Sequence, residues 1–565
     1  MKRSTSPKRS LRKAGTAGFI AASLALGTSM PLVASVPLAV AATDTGNVTI
    51  TATSGNEGVT YKALRIFTAD IDGTNTVKNI AWSTTSVHNA VIKAITAFDS
   101  TYTDPENANE SAQKAAEFIQ AHISDATGTA PSQDSTLILD SGTFGMQLAD
   151  AIDGFKAGTT ITPGEKTELE TGYYLFVATP STLGEGTSGT SPIFAVVGGA
   201  DLSITEKTSV PVVSKTAIDE QGKTALAIDS FIGKKVTYQL TGTLPANLAS
   251  FKTFSYTFTD TLSAGLTANL DSVKVTVGGV DVTARFTKTL ENNVLTVGMD
   301  NLLDVEGVKA SDAVVVTYTA TLNSAATTGA TGNDNQVSIT YSNNPNATTT
   351  STSKKQATRT YTYKLSLHKQ DKNAASRSLE GAKFQIKVAS HEDSSLEGLY
   401  VQADGSLAKT AYSFTTNSDG DFSVSGLDQG MYLITEVEAP ATDNGSYETI
   451  DPVTLTIDSN VEDLSSTAVA NQKLALSATV TGDADAVVAA SVDASATAEG
   501  SGVNASTGEV SLVVRDTKRT TMPVTGDTGI ALPCLVAIGA AGVSLFALRS
   551  RTHARARSGA PTKMH

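Results

Sequence analysis

The sequence predicts a mainly β protein, with an α+β domain on the N-terminal side and two all-β domains in tandem after it. Two long stretches carry the β prediction. From about Pro211 to Thr360, and again from Tyr361 to roughly Thr520, Thr and Val are abundant, polar and apolar residues alternate, and Gly or Asn mark turns. A third stretch, Asn47 to about Gly199, mixes the two signals. Here "TGYYLFVAT" and "SPIFAVVGG" read as buried strands, while "SVHNAVIKAITAF" and "ESAQKAAEFIQAHI" repeat apolar residues three and four apart, as one-sided helices do.

The chain has 565 residues, and its ends read as processed segments. Lys2, Arg3, Lys8, Arg9, Arg12 and Lys13 precede an apolar stretch from about Ala17 to Val40, and Ala39-Val40-Ala41 offers a cleavage site. That is the pattern of a secretory signal peptide. The expected layout is a signal peptide at 1–41, the α+β domain at 42–207, a middle β domain at 208–360, a C-terminal β domain at 361–520 and a terminal segment at 521–565. Within it, "NATTTSTSKKQATRT" reads as a linker or exposed strand pair, and "NSDGDF" as an Asp-Gly hairpin. Asp70, Asp72, Gly73 and Asn75 hint at a calcium loop but lack its distal Glu, so a turn is the expectation and no metal is assigned.

Charge and cysteine usage narrow the function. The whole chain has 42 basic and 56 acidic residues; without the two processed ends, 31 oppose 55, a net charge of −24. Such acidity argues against nucleic acid or an anionic membrane as partner. The one cysteine, Cys534, lies in the terminal segment, so an exported protein of this size would have no disulfide to staple it. His88, His122, His368 and His391 fall in no metal spacing, and neither a nucleophile elbow nor a phosphate loop occurs. No cofactor and no turnover enzyme are expected.

Several strands instead place a polar or ionisable group on their apolar face. Lys369 shares parity with Leu365 and Leu367, Glu436 with Tyr432 and Ile434, and Asp260 with Phe254, Tyr256 and Phe258. Asn335 lines up with Val337, Ile339 and Tyr341. His368 has the opposite parity to Lys369 and should face solvent. A strand end reaching water would explain each placement alone. Together they point to chemistry, because an unpaired buried charge costs several kcal/mol. Burial lowers an amine's pKa and raises a carboxyl's, so the pair can sit as neutral amine and neutral acid. A neutral amine is a nucleophile, and a protonated carboxyl can polarise a neighbouring Asn or Asp carbonyl for attack. The product is a Lys–Asn or Lys–Asp amide joining two strands, a staple without sulfur.

At the other end, Met522-Pro523-Val524-Thr525-Gly526 precedes twenty uncharged residues, Gly529 to Leu548, followed by Arg549, Arg551, Arg555 and Arg557. As a helix the apolar run would span roughly 30 Å, a bilayer core. An ordinary single-pass anchor is one reading, with the C-terminus cytoplasmic. The three parts in order resemble the LPxTG cell-wall sorting signal, with Met522 an apolar replacement for Leu. That resemblance implies a sortase cutting between Thr525 and Gly526, with the membrane holding the precursor transiently.

"LSLHKQD…LEGAKFQI…GMYLITEVEAP" resembles the Cna-B-type domain of Gram-positive pilins, and "VSKTAID…YTFTDTLSAGL…VVVTYTATLN…GNDNQVSITYSNNP" is similar to the middle domain of sortase-assembled fimbrial shaft proteins. The resemblance implies Ig-like/Cna-type β-sandwiches with internal isopeptide bonds. Carried over, Lys215 would bond to Asn335 with Asp260 as the promoting acid, and Lys369 would be the second nucleophile with Glu436 as its acid. Two acceptors compete for Lys369. Asn471 has the expected side chain and spacing, whereas Asp516 ends the last strand on an apolar face with Leu512 and Val514, and is preferred. Aligning "GYYLFVA" with "GMYLITE" puts Ala178 opposite Glu436, so no internal bond is expected in the first domain. By position, eight residues before Lys215, Lys207 corresponds to the family's polymerising lysine, although Thr205-Glu206 replaces the usual Tyr-Pro.

The reading is a structural shaft subunit of a covalent fimbrium, secreted and anchored to a Gram-positive cell wall. Its expected partners are pilin-polymerising and housekeeping sortases, other copies of itself, minor pilins and peptidoglycan, with host surface ligands as further candidates. The alternative is a non-polymerising adhesin or tip pilin whose first domain binds a host ligand.

Overall fold

A computed structural model describes residues 45–71, 77–124, 137–153, 158–218, 222, 224–440, 447–462, 472–482, 486–488 and 502–519. The signal peptide, the calcium-like loop beyond Ile71, Asn471, Met522 to Gly526 and the apolar run 529–548 lie outside them. Among the described residues no helix is long and apolar enough to cross a membrane.

The N-terminal region is built on the strand Tyr61–Ile71, which pairs antiparallel with Gly172–Ala178; the latter pairs in turn with Ile193–Val197. Both faces of this sheet are buried. Leu64, Ile66, Leu175 and Val177 pack with the helices α1 (Thr85–Phe98), α2 (Ala108–His122) and α3 (Phe144–Asp153). Tyr61, Ala63, Tyr174 and Phe176 pack on the other side with Val48 and Ile50, from a three-stranded sheet centred on Thr45–Thr51. Double-sided burial is why "GYYLFVA" reads as a continuous apolar run instead of an alternating one. Helix α1 starts where the Thr84 hydroxyl accepts from Val87 N, and α2 where the Asn107 side chain accepts from Asn109 N and Glu110 N. The two helices read from periodicity are thus present. Helix α3 was not anticipated, although its buried Phe144, Leu148 and Ile152 are four apart; it is short and lies between glycines.

The middle region is a sandwich of two sheets around one core. One sheet contains Val213–Ile218, Lys235–Thr243, Ala313–Leu322 and Leu266–Val277 as neighbours. The other contains Gln356–Tyr361, Asn333–Ser342, Tyr256–Leu262 and Val294–Met299. Strict alternation of buried and half-buried residues along Ala313–Leu322 is the period-two pattern of a strand with one core face. "NATTTSTSKKQATRT" is neither a linker nor an exposed pair. Its strands Thr350–Thr352 and Gln356–Tyr361 each pair with Asn333–Ser342, and Thr358 and Thr360 are buried. The Thr360 hydroxyl has a partner inside, its Oγ1 lying 3.0 Å from Tyr238 OH, whereas the Thr358 hydroxyl has none among the described residues.

The C-terminal region is a second sandwich. The strand Tyr363–Asp371 lies between Asp421–Leu427 and Glu509–Asp516, and its pairing with Glu509–Asp516 is parallel. Lys383–Ser390, Gly430–Glu438, Val453–Glu462 and Lys473–Thr481 are successive neighbours in the facing sheet. "NSDGDF" does not close a hairpin. Gly420, at φ +79°, makes a tight turn with its N–H on Asn417 O, but Phe414–Thr415 before it pairs with Lys383–Ser390, in the facing sheet. The Asp-Gly turn therefore carries the chain between sheets.

Middle and C-terminal regions interlock. Ala227–Asp229 pairs parallel with Gln356–Tyr361, Phe231 packs into the C-terminal core, and Asp229 accepts from Tyr363 OH at 2.6 Å. Gly329 and Gly508, both at positive φ, meet backbone to backbone: a Cβ on Gly329 would lie 2.2 Å from Gly508 N. Gly329→Ala should therefore cost about 1–3 kcal/mol, the usual range for overpacking, and appear as a lowered Tm in thermal unfolding.

Candidate functional site

Two sandwich interiors each enclose a lysine with carboxyl groups. In the middle region the alternation Val213, Lys215, Ala217 turns all three side chains inward. Lys215 Nζ lies 2.6 Å from both Asp260 oxygens, and both side chains are 0 % exposed. Tyr318 OH donates to Asp260 Oδ2 at 2.6 Å, and Asn335 Nδ2 donates to Tyr318 OH at 2.6 Å. The rings of Tyr238 and Tyr318 lie 5.0 and 5.6 Å from the amine, within cation–π range. Lys215 and Tyr318 belong to one sheet, Asp260 and Asn335 to the other. Asn335 Oδ1 is buried without a hydrogen-bond partner among the described residues.

Burial lowers the Lys215 amine to about 8 against the pull of Asp260, and raises the Asp260 carboxyl against the pull of Lys215. Both directions favour moving the proton from amine to acid. Tyr318 is pushed well up, first by burial and then by the Asp260 charge, so its phenol stays protonated and able to donate.

In the C-terminal region Lys369 Nζ lies 2.8 Å from Glu436 Oε2 and 2.5 Å from Asp516 Oδ1, all three side chains 0 % exposed. Lys369 and Asp516 come from adjacent parallel strands: Lys369 is level with Val514, and Asp516 with Asp371. Glu436 reaches over from the facing sheet, its Oε2 also accepting from Ile450 N at 2.9 Å. The Phe384 ring, on the residue paired with Glu436, lies 5.3 Å from the amine. One ammonium with two carboxylates would leave a net negative charge in the dry core. Burial, the largest influence, raises both Glu436 and Asp516, so one proton held between them restores neutrality. Glu436 Oε1 and Asp516 Oδ2 lack hydrogen-bond partners among the described residues.

The inward directions read from strand parity are therefore those observed for Asp260, Asn335, Lys369, Glu436 and Asp516. His368 is 31 % exposed and pairs with Asp421 at 2.7 Å. Ala178 is buried at the end of its strand. Lys207 is half-buried, its Nζ donating to Leu137 O at 2.6 Å. Among the described residues no cluster of His, Cys, Asp and Glu is arranged for a metal. Sequence reasoning missed Tyr318, Tyr238 and Phe384. The signal for Tyr318 was its parity with Val314 and Val316; which group its hydroxyl meets depends on the opposite sheet. It also missed Glu206, a buried carboxyl that accepts from Tyr61 OH and Thr53 N.

Comparisons with known proteins bear on these sandwiches. Residues 363–472 match the model of the SpaA prealbumin-like fold domain. The trypsin-resistant surface T6 protein of Streptococcus pyogenes serotype M6 is 26% identical over 282 residues, 46% of this chain and 50% of that protein. This chain thus spans half the length of that curated relative. The solved T6 backbone pilin from the same serotype aligns at a TM-score of 0.49 and 17% identity, covering 85% of this chain and all of that one. The major pilin SpaD of Corynebacterium diphtheriae aligns at 0.44 and 14% identity, covering 84% and 98%. The chain is similar to major pilins.

Removing Asp260 alone would leave a buried ammonium without its carboxylate. Asp260→Ala should destabilise the protein by about 3–5 kcal/mol, and Lys215→Met combined with Asp260→Leu should be more stable than that single variant. Denaturant unfolding checks both.

Proposed function

We propose that this chain is the structural shaft subunit of a covalently polymerised, wall-anchored pilus, built from three domains in series at 42–207, 208–360 and 361–520. The observation that carries the proposal is the pair of fully buried lysine–carboxyl clusters, each lying where one amide bond would tie strands together. In the middle domain a Lys215–Asn335 bond would join the two sheets. In the C-terminal domain a Lys369–Asp516 bond would join the first strand to the last. Tension entering at one end of such a domain then passes through covalent bonds instead of a ladder of hydrogen bonds in series.

The chemistry balances without a cofactor. The neutral Lys215 amine attacks the Asn335 carboxamide carbon; protonated Asp260 passes its proton through the Tyr318 hydroxyl to the amide nitrogen, which leaves as ammonia, and the proton lost by the amine returns to Asp260. At the second cluster the Lys369 amine attacks the Asp516 carboxyl with Glu436 as the acid, and water leaves. Tyr318, which bridges Asp260 to Asn335, is the relay the first reaction needs. Each reaction happens once per chain and regenerates nothing, so the protein is not a turnover enzyme. The relative described as trypsin-resistant has a durability that such bonds would supply.

Assembly then needs a sortase that cuts after Thr525 and transfers its carbonyl to Lys207 of the next copy, with a housekeeping sortase ending the fibre on peptidoglycan. Minor pilins and host surface ligands complete the expected partners. A solitary adhesin would keep the internal bonds and lose the need for Lys207.

The intact mass of the secreted chain should fall short of its unmodified formula by one ammonia and one water; two ammonias would move the second acceptor to Asn471, and no deficit would end the proposal. On cells, high-mass ladders should survive boiling in detergent and vanish in Lys207→Ala, whereas one wall-linked band in the parent would favour the adhesin.

A further inference from the structure

The residue before Lys207 departs from the rule obeyed by the strand it follows. Leu202 and Ile204 point inward along Leu202–Thr205, and the alternation asks for another apolar side chain at 206. The chain supplies Glu206, only 6 % exposed. Its Oε1 accepts from Tyr61 OH and, at 2.9 Å, from Asn56 Nδ2, while Oε2 accepts from Thr53 N at 2.5 Å. Burial pushes this carboxyl up and the three donors pull it down. An apolar residue would avoid that desolvation, so a role beyond filling space is indicated.

The bonding continues on both sides of the lysine. Asn56 holds Ser188 in both directions, through Nδ2 to Ser188 O at 2.6 Å and from Ser188 N to Oδ1 at 3.0 Å. Ser188 Oγ lies 3.2 Å from Thr208 Oγ1, which donates to Asn247 Oδ1 of the middle region at 2.8 Å. Residues 206 and 208 are thus both turned inward and tied. Between them, Lys207 N donates to Thr190 Oγ1 at 2.9 Å, and Ser191 N donates to Lys207 O at 3.2 Å. The side chain is half-buried, with Nζ on Leu137 O.

We propose that Glu206 is the positioning residue for acyl transfer to Lys207: its buried carboxylate fixes the backbone that carries the lysine, so the amine meets an incoming acyl-enzyme at one place and angle. The inference rests on Lys207 being the acceptor amine. Glu206 is held by Tyr61, Asn56 and Thr53 and exchanges no proton with that amine. It lowers the orientational cost of the attack, which is where a rigid acceptor gains over a flexible surface lysine.

The test offers the whole chain as acceptor to a pilin-polymerising sortase with a short MPVTG peptide as acyl donor. It reads kcat, KM for the chain, and the ligated lysine by peptide mapping. Glu206→Ala should lower kcat roughly 10- to 100-fold with KM little changed, and spread ligation to other lysines. Glu206→Gln, which keeps an acceptor oxygen, should recover most of the rate and the single site. Undiminished kcat with ligation still confined to Lys207 in Glu206→Ala overturns the inference. Should Glu206→Ala fail to fold, Tyr61→Phe, which removes one donor to the carboxylate, decides in its place: a lowered kcat supports the role and an unchanged one overturns it. Ligation that persists unaltered in Lys207→Ala would instead remove the reading of Lys207 itself.

Discussion

A lysine ammonium shut between apolar sheets, away from solvent, cannot stay charged unless something beside it compensates. In this protein the compensation is a carboxyl at hydrogen-bond distance, Asp260 for Lys215 and Glu436 with Asp516 for Lys369. The strands around each cluster are arranged to bring those groups together. Isolation of the pair is as much a part of the design as its contact. Tyr238 and Tyr318 wall the Lys215 amine and Phe384 that of Lys369, and at Lys215 burial favours the neutral form.

The two clusters solve the problem with different topologies. In the middle sandwich the amine and its carboxyl belong to facing sheets, so their contact spans the core like a rivet. In the C-terminal sandwich the amine and Asp516 are diagonal neighbours on parallel strands, and only Glu436 crosses. That second arrangement depends on the parallel pairing of Tyr363–Asp371 with Glu509–Asp516, which brings the start and the finish of the sandwich side by side. The junction between the sandwiches combines backbone contacts, among them the Gly329–Gly508 approach, with an inserted Phe231, the Tyr363–Asp229 hydrogen bond and the Lys234–Asp393 ion pair.

The N-terminal region is organised by another rule. Its central sheet is buried on both faces, by helices and by a small second sheet, and its buried acid, Glu206, is served by a tyrosine, an asparagine and a backbone amide. This acid meets neutral donors, whereas Asp260, Glu436 and Asp516 each meet a buried amine. Position 178, where the resemblance of strands would put the promoting carboxyl, holds a buried alanine.

Side-chain direction was legible in the sequence, because the period of a strand is two whatever it pairs with. Leu365 and Leu367 fixed the direction of Lys369, and Phe254, Tyr256 and Phe258 that of Asp260. The mixed character of the first region was likewise readable, since a helix repeats its apolar face every three to four residues and a strand every two. Register, partner and sheet were not readable. Nothing local says that Asp-Gly at 419–420 leads to another sheet, that the Thr-rich stretch after Asn346 pairs with Asn333–Ser342, or that the Tyr318 hydroxyl lies between Asp260 and Asn335. Those outcomes depend on residues tens to hundreds of positions apart meeting across a core. Sequence by itself determined which groups face inward; only tertiary structure decided which ones touch, because contact across a sandwich is set by packing of whole sheets and leaves no local periodic trace.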